Sequence, residues 1–439
     1  MITRLEAYRY RCFQRLALDI GPYQVLVGKN GAGKSTLLDL PVLLGEILHG
    51  RNLDDAFFKP TDSHKRPRAD APMDLVYNHS GDWFSFAIEA QFPGPIRDAI
   101  HRTRVEQANK KTRSSLESTP GRIYDSLRYE LSIRVEEGAL RISQENLFLL
   151  PQDRSLLGTG TTGLWGEFVE EDELGTLRVL IDRDSSDTAR IKGENRTKGG
   201  KDEPFPLRMP GNSPALAGMP MDIGLFSASH WLVSFLTDEA FLYAPDLERL
   251  RNASLPPGRK WIVARDASTL AWSIMEVERD KDAFDEWLGH VKDVLPLLSG
   301  IEAKRREDDG LAYFRVRYGK DRVVTNSGLS DGTLSILAYT ILPFTNNLPA
   351  LLTVEEPENG IHPKAIEAVF ETLKAMDHSQ VWVTTHSPIA VAVTPLEQLL
   401  CLQQTQDEGV IVTRGNDHPQ LQHWQGTPSL ATLHSAGIL

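Results

Sequence analysis

The stretch YQVLVGKNGAGKSTLLDL, residues 23–40, joins a short apolar run to a glycine-rich loop and a helical pattern. Its GKNGAGKS segment matches G-x-x-x-x-G-K-[ST] from Gly28 to Ser35. Such glycines let backbone N–H groups turn inward around a phosphate, and the helix N-terminus adds the positive end of its dipole. Lys34 supplies a cation for the β- and γ-phosphates, and the Ser35 hydroxyl is a ligand for Mg²⁺. We therefore favour a nucleotide-binding loop over a structural glycine turn. The candidate ATP-binding residues in it are Gly28, Asn30, Gly31, Ala32, Gly33, Lys34, Ser35 and Thr36.

A second motif, ALLTVEEPENG at 350–360, predicts a short buried strand that ends in two carboxylates, Glu355 and Glu356. Ligands bind at the carboxyl ends of strands in open α/β sheets. One carboxylate is suited to hold Mg²⁺, and the other to orient and deprotonate a water molecule for phosphoryl transfer. A strand that ends in a solvated acidic turn is the alternative for this motif taken alone.

Two further segments have the same character. VWVTTHSP, 381–388, predicts a strand that ends near His386, whose side chain could donate a hydrogen bond to a γ-phosphate or simply be a satisfied polar residue. GLSDGTLSIL, 328–337, predicts a turn that leads into a helix over 333–342.

Composition places the chain among ordinary globular proteins. It has 439 residues, 41% hydrophobic and 25% charged, with a formal net charge of −12. The negative charge argues against a protein that coats nucleic acid through its overall field, although a local basic groove is compatible with it. Cys12 and Cys401 are too few for a disulfide framework, which with the absence of a signal-peptide pattern predicts a cytoplasmic location. The apolar stretch 334–354 contains prolines and asparagines and predicts a helix, a loop and a strand.

Alternating apolar and polar residues predict strands over 13–20, 84–92 and 127–135, with a turn at 136–139. Pro41 falls inside the helix after the glycine loop, where it is expected to kink or end it.

Two polar stretches, 102–118 and 184–220, predict mobile loops. An apolar stripe over 284–295 has helical spacing and predicts a core helix.

The glycine loop, the acidic strand end and the histidine-tipped strand, in this order, resemble the ABC-type ATPases, and LSDGTL resembles their signature motif. In that family the signature of one subunit closes on the nucleotide held by another. The resemblance thus implies a homodimer formed through ATP, with Glu356 as general base and His386 as γ-phosphate sensor beside Lys34. It also implies a Mg²⁺ site at Ser35 and Glu355. The implied signature residues, acting on the partner's nucleotide, are Leu329, Ser330, Asp331 and Gly332.

The branch of the family is indicated by the N-terminal segment, which resembles RecF-like, chromosome-maintenance and OLD-type (overcoming lysogenization defect) ATPases. RYRCF aligns Arg11 with the nucleotide-contacting arginine of these proteins, although Arg9 replaces their usual Asn. EEPENGIHP resembles the OLD-type and related AAA-domain proteins, with Glu355 where many relatives have Asp and His362 in the place of the transporter D-loop aspartate. VARDASTLAWSI and the closing LATLHSAGIL extend the likeness to nearly the whole chain.

Two departures define what the chain is expected to lack. OLD-type nucleases carry a Toprim nuclease domain after the ATPase, and the residues after His386 are too few for one. The long coiled coil of chromosome-maintenance relatives is also missing from the sequence pattern.

The expected fold is α/β, a P-loop NTPase with an ABC-type ATPase head. Such a head has a mixed central sheet flanked by helices, an antiparallel β subdomain and a helical signature lobe. We expect residues 1–150 to form its N-terminal half, 151–320 an insert with a mobile loop and helical lobe, and 321–439 its C-terminal half.

The expected function is an ATPase subunit that dimerises on ATP and controls a separately encoded effector. A nuclease is the preferred candidate for this effector, and a toxin-like protein is the other. The resemblance implies a role in bacterial anti-phage defence. One alternative is a RecF-like DNA-repair ATPase, for which 59–68, 109–113 and 303–306 supply basic residues. The other is a transport ATPase, which the long spacing between the glycine loop and the signature disfavours.

Overall fold

The computed structural model describes residues 1–50, 52–108, 113–114, 116, 118–157, 177–195, 203–258, 261–421 and 429–435. The chain divides into two compact units. The first unit comprises residues 1–21, 40–239 and 404–411, and the second comprises 22–39, 240–403 and 412–439.

The described strands are numbered in chain order. They are β1 Ile2–Tyr10, β2 Phe13–Asp19, β3 Tyr23–Val27, β4 Trp83–Gln91, β5 Tyr124–Glu136, β6 Ala139–Pro151, β7 Arg178–Arg183, β8 Thr188–Ile191, β9 Phe205–Arg208, β10 Ala240–Leu242, β11 Leu298–Arg305, β12 Ala312–Tyr318, β13 Arg322–Thr325, β14 Leu351–Glu355, β15 Gln380–Thr384, β16 Leu399–Gln404 and β17 Val410–Arg414.

The α-helices are given by their bounds. They are Lys34–Gly50, Leu53–Phe58, Gly94–Gln107, Ile223–Asp238, Leu247–Leu250, Leu270–Val277, Lys281–Val294, Asp331–Thr340, Pro363–Lys374, Pro388–Val393 and Leu430–Ser435. None of the helices within the described ranges combines the length and the apolar composition that a membrane span requires.

The first unit is built on an antiparallel sheet of eight described strands in the order β2-β1-β4-β5-β6-β7-β8-β9. The predicted strands 13–20, 84–92 and 127–135 correspond to β2, β4 and β5. β5 and β6 are joined by a tight turn at Glu137 and Gly138, both with positive φ, which confirms the turn predicted there.

A buried ionic cluster lies on this sheet. The Arg128 guanidinium on β5 donates to Glu6 on β1 at 3.1 and 3.0 Å, to Glu89 on β4 at 2.9 Å and to Glu130 at 2.6 Å. Glu6 has no solvent exposure and Arg128 has 4%. One arginine thus bridges carboxylates from three strands.

The second unit contains a sheet with the strand order β10-β14-β15-β3-β16-β17. The pairs β10–β14, β14–β15, β15–β3 and β3–β16 are parallel. The central strands are mostly apolar and almost entirely buried, as expected of parallel strands with both faces covered.

A smaller antiparallel sheet, β11-β12-β13, also belongs to the second unit. Its inward residues, such as Ile301 and Phe314, join a core with Trp287 and Val291 of the helix Lys281–Val294. The core helix predicted from the stripe 284–295 is confirmed. The helix predicted over 333–342 is observed at Asp331–Thr340 and leads to β14, as expected from the interrupted apolar stretch.

Two local predictions need correction. The helix that starts at Lys34 does not end at Pro41 but continues to Gly50, and a kink at Pro41 stays a prediction. Residues 37–45 are all buried, and this packing offsets the hydrogen bond that proline removes. In 184–220 the described residues contain β8, β9 and further ordered structure, because Arg183 is buried against the Glu145 carboxylate and the Arg190 guanidinium pairs with Asp182.

The other polar stretch, 102–118, begins inside the helix Gly94–Gln107, so its first residues are not a loop. Residues 109–112, 115 and 117 lie outside the described residues.

The α/β class and the P-loop arrangement expected from the sequence are confirmed. The division at residues 150 and 320 stays a prediction.

Candidate functional site

The candidate site lies at one edge of the parallel sheet, within the second unit. β14, β15 and β3 are adjacent and parallel, with Glu355 opposite Thr384 and Thr384 opposite Leu26. The three strands therefore end at the same level, and the segments after them meet there. This is the edge at which open α/β sheets bind ligands.

The glycine loop follows β3 and adopts the backbone that its glycines permit. Gly28, Gly31 and Gly33 all have positive φ, and the Ala32 N–H donates to the Lys29 carbonyl at 3.1 Å. A Cβ on Gly28 would lie 2.4 Å from the Leu402 carbonyl oxygen, so a side chain is excluded there. Among the other loop residues, Asn30, Gly31 and Ser35 are exposed, Thr36 is half-buried and Ala32 is buried.

Lys34 starts the helix after the loop and is only 6% exposed. Its Nζ donates to the carbonyls of Gly28 at 2.9 Å and Lys29 at 3.2 Å, and it lies 2.8 Å from His386 Nε2. Burial lowers the pKa of Lys34, and the Glu356, Glu355 and Glu358 carboxylates act in the opposite direction. The ammonium group thus faces the acidic end of β14.

The acidic turn after β14 presents its two predicted carboxylates differently. Glu355 is the exposed last residue of the strand. Glu356 has a φ of 40°, a left-handed backbone that is uncommon for a residue with a side chain. Its N–H donates to the Thr384 carbonyl at 3.1 Å, and its Oε2 accepts from Asn359 Nδ2 at 3.0 Å.

The turn itself is closed by two backbone hydrogen bonds. The Asn359 N–H donates to the Glu356 carbonyl and the Ile361 N–H donates to the Glu358 carbonyl, both at 3.0 Å. Glu356 is therefore fixed to β15 at one end and to its own turn at the other.

His386 connects the lysine and the carboxylate. Its Nε2 lies 2.8 Å from Lys34 Nζ and 3.3 Å from Glu356 Oε1. This nitrogen either accepts from the ammonium group or donates to the carboxylate, depending on its protonation. The structure thus brings together the three residues predicted to be catalytic.

Two residues of this site were not predicted. Glu358 accepts hydrogen bonds from the Thr385 hydroxyl at 2.7 Å and from the His386 N–H at 2.8 Å. His434 Nε2 lies 3.3 Å from the His386 carbonyl oxygen. Glu358 stands within EEPENG, where only the first two carboxylates were assigned. His434 stands in the C-terminal segment, whose sequence does not indicate where it folds.

The signature segment caps the helix Asp331–Thr340. The exposed Ser330 accepts a hydrogen bond from the Thr333 N–H at 3.3 Å, and the buried Leu329 carbonyl accepts from Arg251 at 2.5 Å. The Arg251 guanidinium also pairs with the Asp331 carboxylate.

Gly332, the second residue of this helix, packs closely against the acidic turn. A Cβ there would lie 2.8 Å from the Gly360 carbonyl oxygen, which explains why glycine occupies the position. The contact is made within a single chain. Action of Ser330 on the nucleotide of a partner subunit stays a prediction.

Arg11 belongs to the first unit, between β1 and β2, and the glycine loop belongs to the second. Arg11 has a φ of 50°, and its guanidinium donates to the Arg68 carbonyl at 2.8 Å. Its contact with nucleotide stays a prediction.

His362 caps the helix Pro363–Lys374 by accepting from the Lys364 N–H at 3.2 Å.

The basic stretches proposed for DNA are largely engaged by acidic partners. In 59–68, Lys59 pairs with Asp55 and the buried Arg68 pairs with Glu46. In 303–306, Lys304 pairs with Glu302. Most of 109–113 lies outside the described residues.

The residues at the sheet edge fit a magnesium nucleotide. The Ser35 hydroxyl and the Glu355 carboxylate are exposed oxygen donors, the type that Mg²⁺ prefers. A Cβ on Gly31 would meet nothing within 4 Å, so the outer side of the loop is open to a phosphate.

Comparison with known proteins gives a family for part of the chain. Residues 229–392 match the family described as "AAA domain, putative AbiEii toxin, Type IV TA system". The OLD nuclease of Thermus scotoductus is 40% identical over 48 residues, which are 11% of this chain and 9% of that nuclease.

Similar solved structures include the SmcHead bound to the C-winged helix domain of ScpA, with a TM-score of 0.46 and 11% identity. The alignment covers 94% of this chain and 98% of that one. The SMC head domain from Thermotoga maritima has a TM-score of 0.40 at 11% identity, with 94% and 98% coverage.

The family match contains the signature, the acidic turn and His386, and the short match is to an OLD nuclease. The resemblance to ABC-type AAA ATPases of the OLD-like class is thereby confirmed. The glycine loop lies outside the residues matched to the family and is identified by its own motif and geometry.

Proposed function

We propose that this chain binds ATP with Mg²⁺ at the sheet edge and hydrolyses it. One observation carries the proposal, the contact of Lys34 and Glu356 with the same His386 nitrogen where adjacent parallel strands end. Phosphoryl transfer depends on positioning and charge stabilisation, and this arrangement supplies a cation, a carboxylate and an imidazole within a few ångströms.

Each residue has a proposed role. Lys34 and the N–H groups of the glycine loop bind the phosphates. Ser35 and Glu355 hold Mg²⁺, which neutralises phosphate charge when bound. Glu356 accepts the proton of the attacking water, and His386 donates a hydrogen bond to the γ-phosphate.

The signature supports a site that two subunits complete. Ser330 is exposed at the N-terminus of the ten-residue helix Asp331–Thr340, where a hydroxyl, N–H groups and the helix dipole favour an anion. We propose that it contacts the γ-phosphate held by a second copy, so that ATP forms a homodimer.

The wider role that we propose is control of a separately encoded effector, a nuclease or a toxin-like protein, in anti-phage defence. This proposal is supported by the resemblance to OLD-type proteins and by the family description over 229–392. The match to the OLD nuclease spans 9% of that protein, so the effector chemistry is not carried over to this chain.

The first test uses Glu356→Gln, with Glu367→Gln as matched control because Glu367 is an exposed glutamate on the helix Pro363–Lys374. Loss of the base should slow hydrolysis by roughly 10²–10⁴-fold while ATP binding is retained. The closed dimer should then accumulate in ATP and Mg²⁺, measured by light scattering. Turnover equal to that of the control would place the base elsewhere.

The effector is identified with the same variant. Tagged Glu356→Gln protein is purified from its native host with ATP and Mg²⁺, and the copurifying proteins are identified by mass spectrometry. A nuclease or toxin-like partner in fixed ratio supports effector control, and repair proteins with DNA contradict it.

DNA binding is a second candidate, favoured by the outer face of the β11-β12-β13 sheet. Arg315 and Arg317 alternate with buried residues on β12, and of the two Arg317 is exposed whereas Arg315 pairs with Glu302 at 2.6 Å. The Arg306 guanidinium, which lies 3.4 Å from Asp309, is 5.6 Å from the Tyr313 ring centroid. Cations interleaved with an aromatic ring suit a nucleic-acid backbone and its bases. Salt-dependent DNA binding that Arg317→Ala weakens would support this function, and salt-independent or absent binding would exclude it.

A further inference from the structure

His386 lies beyond the ordered end of its strand. β15 ends at Thr384, so the ladder with β14 and β3 does not extend to His386. The orientation of its side chain depends on the peptide groups on either side of it. In this structure both groups are bonded to side chains.

Glu358 holds the amino side of His386. Its Oε1 accepts from the His386 N–H at 2.8 Å and from the Thr385 hydroxyl at 2.7 Å. Charge-assisted hydrogen bonds of this kind are stronger than neutral ones. Glu358 is also only two residues after Glu356, so it ties the acidic turn to the backbone of the histidine.

His434 holds the carbonyl side. It lies on the helix Leu430–Ser435, which packs against the helix Pro388–Val393 that follows His386. A carbonyl oxygen only accepts, so His434 Nε2 is the donor over the 3.3 Å contact. Its Nδ1 is buried and has no hydrogen-bond partner among the described residues.

The hydrogen bonds of Glu358 and His434 to the His386 backbone, which we call the clamp, fix the position of the His386 imidazole. Its Nε2 lies 2.8 Å from Lys34 Nζ and 3.3 Å from Glu356 Oε1, and a rotation of either flanking peptide would move it away from both. Displacements of about 1 Å are enough to affect catalysis strongly.

We propose that Glu358 and His434 are positioning residues, which hold the His386 peptide from both sides and thereby aim its imidazole at the reaction. The inference rests on the proposed ATPase function.

The test compares substitutions that remove a hydrogen bond with substitutions that keep one. Glu358→Ala removes the acceptor, whereas Glu358→Gln keeps a carbonyl oxygen. His434→Phe removes the donor at similar size, whereas His434→Gln keeps an N–H. Matched controls are Glu367→Ala and His378→Phe, both at exposed positions.

Kinetics provide the first readout. Glu358→Ala and His434→Phe should lower kcat about tenfold, corresponding to one hydrogen bond, with KM for ATP nearly unchanged. The Gln variants should retain most of the activity. In a His386→Ala background the same substitutions should have no further effect, because they act through that residue. Equal losses in both backgrounds would overturn the proposal.

The second readout does not need turnover. The ¹³Cε1 signal of His386, assigned with His386→Ala, should shift in Glu358→Ala and His434→Phe but not in the controls. An unchanged signal would refute the positioning role. If the wild-type chain does not hydrolyse ATP, the proposed function fails, and the signal still decides whether the clamp exists.

Discussion

Gly332→Ala tests how closely the signature helix packs on the acidic turn. The added Cβ would lie 2.8 Å from the Gly360 carbonyl oxygen, whereas ordinary contacts begin near 3.4 Å. The helix or the turn must therefore move by about 0.6 Å. The atom that the new Cβ would meet belongs to the backbone of the turn, so no flexible side chain can move aside to relieve the contact.

The magnitude follows from two opposing effects. Overpacking of this kind costs about 1–3 kcal/mol. Replacing glycine by alanine in a helix stabilises by roughly 0.5–1 kcal/mol. The difference is a net loss of at most about 2.5 kcal/mol, centred near 1 kcal/mol, and a loss of about 1 kcal/mol lowers Tm by about 2–4 °C for a unit of roughly 150–250 residues.

The control is the same substitution in an open position. Gly289 lies in the helix Lys281–Val294, and a Cβ there would meet nothing within 4 Å. Gly289→Ala should raise Tm, because only the helix term remains. If the contact is as described, scanning calorimetry should show a lower Tm for Gly332→Ala and a higher Tm for Gly289→Ala than for the wild-type protein. A Gly332→Ala protein as stable as wild type, or more stable, would refute the reasoning.

Two further predictions concern buried charge and pH. Arg128→Met should lose about 3–5 kcal/mol in urea unfolding because buried carboxylates lose their partner, whereas the exposed Arg134→Met should change little; a loss below about 1 kcal/mol would contradict this. Burial lowers the pKa of His101, His418 and His434 in the folded chain. As the pH falls below about 6.5, the unfolded chain therefore binds more protons than the folded chain, and the free energy of unfolding decreases. Between pH 7.5 and 5.5 the free energy of unfolding should fall less in His434→Gln than in wild type, and an equal fall would exclude this contribution.

The parts of the fold that the sequence predicts are those that depend on local pattern. The conformation of the glycine loop can be predicted from the sequence, because positive φ at Gly31 and Gly33 and the adjoining helix depend on a few consecutive residues. β4 and β5 were predicted to within a few residues because one period-two face of each is apolar.

The errors arise where long-range packing outweighs local preference. Pro41 favours a helix end, but burial of the surrounding turns keeps the helix intact. The polar composition of 184–220 suggests a loop, but Arg183 finds a buried carboxylate at Glu145, far away in sequence.

The site shows the same division. Lys34 was predicted because it belongs to a recognisable loop motif, and Glu356 and His386 because each follows a recognisable strand. Glu358 and His434 were not, since their role exists only through contacts with the backbone of His386. Periodicity carries no information about such contacts.

The acidic turn has a consequence for which changes of length the chain tolerates. Within 356–361, Glu356 faces His386, Glu358 accepts from the His386 N–H and the Gly360 carbonyl contacts the signature helix. One inserted or deleted residue would move at least two of these groups out of register together. We expect natural variants to change the identity of Asn359 far more readily than the number of residues in the turn.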